Sequence, residues 1–267
     1  MLKDRFQRSI RYLRLSVTDR CNLRCVYCMP EDGVPLTGHG SILSFEEMAA
    51  VVREAVALGV DKVRLTGGEP LVRRGVIRLV ESIARIEGIR DFAMTTNAIL
   101  LPQLALELKK AGLHRVNVSL DTMNPDRFRE ITRGGDLNTV LAGIAAATEA
   151  GLTPVKLNCV IQSSIDEPDA REVAAFAASQ GIEVRFIRQM NMVTGDFWVV
   201  VGGTGGDCSK CGRIRVTATG DVLPCLFSDL RFNVREMGIR GALLTAVENK
   251  PESGRTSRKN HFYTTGG

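Results

Sequence analysis

Six short segments of alternating apolar and polar residues, each followed by loop or helical periodicity, leave this 267-residue chain few folds to choose from. Leu13, Leu15 and Val17 alternate with Arg14 and Ser16, so Arg11 to Val17 reads as a half-buried strand. Ser44 stands before an apolar-periodic run with Glu47 three residues on, the spacing of a capping box; it predicts a helix that runs to about Leu58 and ends at Gly59. Strands at 62–66, 91–95, 114–119, 153–161 and 182–188 alternate with helices at 75–86, 101–111, 137–150 and 168–179. Gly112, Gly151 and Gly181 sit where glycines end helices. Such alternation builds parallel βα units, so an open doubly wound sheet and a full or partial barrel both fit. In either, chemistry gathers at the C-terminal ends of the strands. The residues that follow the strands here are a cysteine loop, Gly67-Gly68-Glu69-Pro70, Thr95-Thr96-Asn97 and Ser119-Leu120-Asp121. Beyond Met190 the pattern breaks: Trp198 to Val201 reads as a short strand and Gly202 to Gly206 as a linker, since no Lys-Ser/Thr follows to make a phosphate loop.

Apolar residues make up 44% of the chain and charged residues 24%, which excludes disorder as the dominant state. No run of eighteen apolar residues occurs, so no membrane span is expected. Met1 to Arg8 holds no apolar h-region, and a cytoplasmic chain is the expectation. The net charge of +5 is uneven: residues 1–207 carry 25 basic and 25 acidic side chains, whereas 208–267 carry 10 and 5. A basic C-terminal module that meets an anion follows. Aromatics are only 5% of the chain and do not interleave with that basic stretch, which argues against nucleic acid as the anion.

The seven cysteines are an odd number, and a reducing compartment argues against a disulfide framework. Cys21, Cys25 and Cys28 follow C-x3-C-x2-C; Cys208 and Cys211 are joined by Cys225; Cys159, inside Leu157–Ile161, reads as a small core residue. Three thiolates on one short loop can hold three corners of an iron–sulfur cube and leave one iron open to an outside ligand. A zinc site completed elsewhere, for instance by His39, is the alternative for the first set, and C-x2-C plus a third cysteine also suits zinc in the second.

The stretch from Leu15 to Pro30, Leu-Ser-Val-Thr-Asp-Arg-Cys-Asn-Leu-Arg-Cys-Val-Tyr-Cys-Met-Pro, resembles the start of a radical S-adenosylmethionine (SAM) enzyme. More narrowly, the chain resembles the GTP 3′,8-cyclase family of molybdenum cofactor biosynthesis. The likeness continues through Leu65–Leu71, Val118–Thr122, Arg127–Asp136, Val155–Asn158, Phe186–Met190, the set Cys208, Cys211, Arg213 and Arg215, then Cys225–Phe227 and the closing Gly266-Gly267.

The resemblance implies an α/β fold: a partial (β/α)6 TIM-type barrel over residues 1–190, with a C-terminal extension over 191–267 that binds a second cluster and substrate. It implies that Cys21, Cys25 and Cys28 hold one [4Fe–4S] cluster, whose open iron is chelated by SAM, and that Cys208, Cys211 and Cys225 hold another. Tyr27, Gly67, Gly68, Glu69, Ser119 and Met190 would bind SAM. The two glycines would let backbone carbonyls approach its ammonium group. Arg14, Arg64, Thr95 and Lys156, on or just beyond strands facing the barrel mouth, would bind GTP with Arg213 and Arg215, which alternate along one strand and so share a face. Those last two would also be catalytic, and the Gly266-Gly267 tail would enter the site.

The implied reaction has a radical derived from SAM remove the 3′ hydrogen of GTP, after which C3′ bonds to guanine C8 and the resulting radical is reduced by one electron and a proton to 3′,8-cyclo-7,8-dihydro-GTP. The implied partners are GTP, an electron donor of flavodoxin or ferredoxin type and, downstream, cyclic pyranopterin monophosphate synthase, with no membrane or nucleic acid; a homodimer is compatible. The chain departs from the family pattern in the spacing of 18 positions from Met190 to Cys208, which is short, in Ala98, in Asn191, and in Tyr263-Thr264-Thr265 before the final glycines. Two other readings stand beside it: a two-cluster radical SAM enzyme acting on a peptide or a different nucleotide, and a zinc-stabilised, basic nucleic-acid-binding protein.

Overall fold

A computed structural model describes residues 2–35 and 37–265. Six parallel strands come first in the chain: β1 (Tyr12–Ser16), β2 (Lys62–Thr66), β3 (Asp91–Thr96), β4 (Arg115–Ser119), β5 (Lys156–Ile161) and β6 (Glu183–Arg188). Each lies beside its predecessor. The helices between them are α1 (Phe45–Ala57), α2 (Val76–Ala84), α3 (Leu101–Lys110), α4 (Pro125–Thr132), α5 (Leu137–Glu149) and α6 (Pro168–Ser179). The chain then returns to the far side of β1. There β7 (Arg213–Val216) pairs parallel with it, and β8 (Asp221–Leu223) and β9 (Phe232–Asn233) follow antiparallel. Three helices complete the described residues: α7 (Val234–Met237), α8 (Ile239–Glu248) and α9 (Phe262–Thr265).

Crossovers that always step the same way keep the helices on one face of a parallel sheet. That face is apolar row by row: Ile214, Leu13, Val63 and Phe92 are neighbours in register, then Val216, Leu15, Leu65, Met94 and Val116, then Val118, Leu157 and Val184. They pack on Met48, Val52, Leu79, Ile83, Leu108, Val140 and Val173 of the helices. Because side chains alternate along a strand, everything between these residues faces the other way. That second face is polar. One register row reads Arg215, Arg14, Arg64, Ala93, Arg115; another reads Arg213, Tyr12, Lys62, Asp91; others are Thr95, Asn117, Lys156, Glu183 and Ser119, Asn158, Arg185.

The predicted capping box is present: Glu47 N donates to Ser44 Oγ (3.1 Å) and Ser44 N to Glu47 Oε2 (2.7 Å). Two differences from the sequence reading matter. Helix α4 is additional. It buries only Phe128 and Thr132, too little for a periodic signal, and it is started by Asn124, whose Oδ1 accepts from Asp126 N and Arg127 N (both 3.0 Å), with Pro125 in the first turn. The strand expected at Trp198–Val201 is absent; only Val201 forms an isolated antiparallel bridge, to Phe186 on the edge strand β6. Val200 N instead donates to Gly205 O (2.9 Å), so the segment folds back on its own glycines. Among the described residues no helix is long and apolar enough to cross a membrane.

Leu15 is fully buried at the centre of the apolar face. Leu15→Ala is expected to lower unfolding stability by about 2–5 kcal/mol, read as a shifted midpoint in denaturant titration.

Candidate active site

The first thiol loop leaves the C-terminal end of β1. Its turn is made by Cys28 N and Met29 N, which both donate to Cys25 O (2.9 and 3.0 Å). It is held from outside by α4: Arg24 N donates to Thr132 O (3.1 Å) and Val26 N to Ile131 O (2.9 Å). Arg133, just past the helix, donates to Arg24 O (3.1 Å) and Met29 O (2.9 Å). From inside, Tyr27 Oη donates to Asp121 Oδ2 (2.7 Å), and Asp121 Oδ1 accepts from Val160 N (2.8 Å). Burial lifts the Asp121 carboxyl to about 6 against those two hydrogen bonds. Burial also pushes the Cys25 and Cys28 thiols up to about 12, and Cys21 up as well, with neighbouring thiols adding to the rise of Cys25 and Cys28. Ligation of such a set therefore expels protons that only a bound cationic centre can replace. Among the described residues no three His, Cys, Asp or Glu side chains are gathered closely enough to hold one metal ion; an iron–sulfur cluster instead takes each thiolate on its own iron. Three soft donors on one clamped turn fit such a cluster.

The Gly67-Gly68-Glu69-Pro70 loop leaves β2 and leans directly on the start of the thiol loop. Gly68 N donates to Thr18 O and Glu69 N to Arg20 O, both 2.8 Å. A β-carbon on Gly67 would lie 2.5 Å from Thr18 O, and one on Gly68 would lie 2.3 Å from Arg20 O. The close approach that demands glycine here is thus between two loops of the protein itself, a reason the sequence did not reveal. Glu69 is 1% exposed and gathers three donors: Thr96 Oγ1 (2.8 Å), Asn97 N (2.7 Å) and Leu71 N (3.1 Å). Burial raises its carboxyl to about 7 even so. Asn97 Nδ2 then reaches Asn22 Oδ1 (2.7 Å), which joins the ends of β2 and β3 to the thiol loop.

On the polar face, Arg64 is 5% exposed, and its Nε, with those of Arg185 and Arg213 and the Thr95 hydroxyl, has no hydrogen-bond partner. Burial lowers Arg64 to about 9, with Arg14, Arg115 and Arg185 adding repulsion. Burial, then neighbouring guanidiniums, lowers Arg185, Arg213 and Arg215 too. Arg115 is held by both oxygens of Asp91 (2.9 and 2.7 Å). Lys156 opens β5 in the polar row with Thr95 and Asn117, and it pairs with Glu183 of β6. Arg185 escaped the sequence reading, although the alternation Glu183, Arg185, Ile187 along β6 carries the signal. Ser119 ends β4 beside Asn158, while Met190 packs on Met192, Leu226 and Phe227.

The second thiol set borders the same face, because β7 starts two residues after Cys211 and runs beside β1. Cys211 N donates to Cys208 O (3.2 Å), and Arg8 Nη1 donates to the same carbonyl (2.7 Å). Lys250, 2% exposed, donates to Arg213 O and Pro224 O (both 2.7 Å). Burial would raise Cys211, but Lys250, Arg213 and Arg215 outweigh it and pull that thiol down; Cys225 stays raised by burial. Arg215 Nη1 donates to Thr265 O (3.2 Å), which brings α9 onto the polar face. Gly266 and Gly267 lie outside the described residues. Cys159 is fully buried in the apolar core, in register with Phe186.

A sheet of this order with a three-cysteine loop after its first strand defines a class. Residues 15–177 match the family model of the Radical SAM superfamily. The fold is also similar to the crystal structure of Streptococcus suis SuiB bound to precursor peptide SuiA (TM-score 0.70, 16% identity, 92% of this chain, 66% of that chain). It is similar as well to native anSMEcpe with bound AdoMet (TM-score 0.63, 13% identity, 90% of this chain, 81% of that chain). In sequence the chain is 39% identical to the GTP 3′,8-cyclase of Peptoclostridium acidaminophilum (94% of this chain, 92% of the relative). It is 41% identical to that of Moorella thermoacetica (94% of each). The chain belongs to the GTP 3′,8-cyclase family of radical SAM proteins. Those alignments run over 300 and 303 positions, longer than this chain's 267 residues, so the relatives carry segments that it lacks.

Gly68→Ala should break the docking of the two loops. A loss of roughly 1–3 kcal/mol in denaturation is expected, together with reduced iron retention by the first thiol set.

Proposed function

We propose that this chain converts GTP to 3′,8-cyclo-7,8-dihydro-GTP, the opening step of molybdenum cofactor biosynthesis, with SAM and two [4Fe–4S] clusters. Family membership supports the reaction. The observation that carries the site assignment is the neighbourhood of β1 and β7: the strand that leads into the first thiol loop lies beside the strand that leaves the second, and arginines in register span both.

When bound, the first cluster and SAM supply a hydrogen-abstracting radical. The chain's own residues have other tasks. Cys21, Cys25 and Cys28 would hold that cluster, and Cys208, Cys211 and Cys225 the second. Tyr27, fixed by Asp121, would contact SAM, with Gly67, Gly68, Glu69, Ser119 and Met190 completing its pocket. Arg14, Arg64, Thr95, Lys156 and Arg185 would bind the triphosphate. A planar guanidinium offers two parallel donors to phosphate oxygens, and the unpartnered Nε groups of Arg64 and Arg185 are free to use them. Arg213 and Arg215 would orient the nucleotide beside the second cluster, with Thr265 bringing the tail to Arg215. The six consecutive parallel strands would curve as a partial barrel whose polar face is the lumen. Residues 191–267 would act as the cluster- and substrate-binding extension even though β7 extends the same sheet. A flavodoxin- or ferredoxin-type donor would supply the electron, and cyclic pyranopterin monophosphate synthase would take the product.

Anaerobic turnover with SAM, reductant and GTP, followed by product mass analysis, tests the reading: a cyclised GTP isomer is expected, and SAM consumption without it overturns the substrate. Arg64→Met should raise KM for GTP by roughly 10- to 100-fold, the worth of about 1.5–3 kcal/mol for a charge-assisted bond. Cys225→Ala should retain roughly half the iron of the parent, measured by chemical iron assay on anaerobically purified protein.

A further inference from the structure

The polar face holds more positive charge than its described carboxylates answer. Arg115 has Asp91 and Lys156 has Glu183, but Arg64, Arg185 and Arg213 make no ion pair among the described residues, and their Nε groups are buried without acceptors. Tyr12 sits among them on β1, in register with Arg213 on one side and Lys62 on the other. The guanidinium carbons of Arg14, Arg64 and Arg213 lie 5.8, 5.5 and 5.1 Å from the centre of its ring. Arg14 Nε donates to its hydroxyl oxygen (3.2 Å).

Cations gathered in a poorly hydrated site need an anion, and that need is greatest before substrate arrives. We propose that Tyr12 is the internal counter-anion of this arginine cluster: its phenol releases a proton to the medium while the face is empty and takes one back when a polyphosphate binds. Tyr12 is thereby a positioning residue that keeps the guanidiniums together and couples substrate binding to proton uptake. The inference rests on the reading of this face as the triphosphate site.

The groups around the ring agree. Arg14 on its own strand, Lys62 and Arg64 on β2, Arg213 and Arg215 on β7 and Arg185 on β6 are all basic; Asp91, next in the row beyond Lys62, is bound by Arg115. Burial by itself pushes the Tyr12 phenol up, but Arg14, Arg64 and Arg213, helped by the Arg14 hydrogen bond, outweigh it and draw the phenol down to about 7. The other two tyrosines move the opposite way: burial lifts both Tyr27 and Tyr263. A phenolate that forms near neutrality therefore reports Tyr12. Neutralisation of the arginines by phosphate removes what lowers the phenol, so its pKa returns upward and a proton is bound.

Phenolate difference absorbance of the cluster-loaded enzyme, scanned over roughly pH 6 to 9, is expected to show a step near neutrality that Tyr12→Phe lacks. Saturating tripolyphosphate or GTP should discharge that band in the parent. Above neutrality, GTP affinity of the parent should fall by up to about tenfold per pH unit relative to Tyr12→Phe, read by titration calorimetry. A merely structural ring would produce neither the band nor the slope. The proposal is overturned by absence of a phenolate step over that range, by a band that survives saturation with GTP, or by equal pH slopes in the two proteins. If Tyr12→Phe does not fold, the parent's titration with and without tripolyphosphate decides alone. Failure of GTP to yield a cyclised product sinks the substrate reading, whereas the phenolate titration of the empty enzyme still decides the role of Tyr12.

Discussion

Everything in this structure follows from a two-sided commitment of the strands. Once Leu13, Leu15, Val63, Leu65 and Met94 are packed against helices, Tyr12, Arg14 and Arg64 have nowhere to go but the opposite face. A one-residue slip would exchange the two sets, burying guanidiniums under helices, so the register is fixed by the hydrophobic core. The cost is a row of like charges on adjacent strands, an arrangement that sheets ordinarily avoid. Such a row is kept only when something opposes the repulsion. The apolar face provides the stability that offsets this repulsion.

The loops at the strand ends are not independent appendages. The glycine loop after β2 presses its backbone against Thr18 and Arg20, Asn97 after β3 reaches Asn22, and α4 after β4 grips Arg24 and Val26. Three successive βα connections therefore fix one thiol loop. The loop is thus preorganised by its surroundings, because the thiols themselves are pushed toward their protonated forms and contribute no anchoring of their own. The second set is built differently, with Lys250 and the β7 arginines supplying positive charge that draws Cys211 toward thiolate.

Much of this was legible in the sequence because it is local. Alternation located the strands, Ser44 and Glu47 marked a helix start, and the cysteine spacings exposed two sets of three and a core cysteine. What stayed hidden was non-local or weakly patterned. Helix α4 buries two residues and shows no stripe; its Asn124-Pro125 start was the only cue. The apolar run Trp198–Val201 suggested a strand, but it has no partner beyond one bridge at the sheet edge and its glycines turn it back. Arg185 required knowledge of which strand end faces which loop. The purpose of Gly67 and Gly68 required the neighbouring loop's coordinates.

Arg8 has a temporal meaning as well as a structural one. Its guanidinium binds the carbonyls of Cys208, Pro251 and Glu252, while β1, a few residues later, waits for β7 as its second neighbour. Some two hundred residues of chain separate these partners, so during synthesis one edge of β1 stays open until nearly the whole polypeptide has emerged. The first thiol loop, by contrast, takes its backbone anchors from α4 and the residue after it, Arg133, and its side-chain anchor from Asp121, held by Val160. The anchor of the second thiol set and the second neighbour of β1 therefore come from the same late part of the chain.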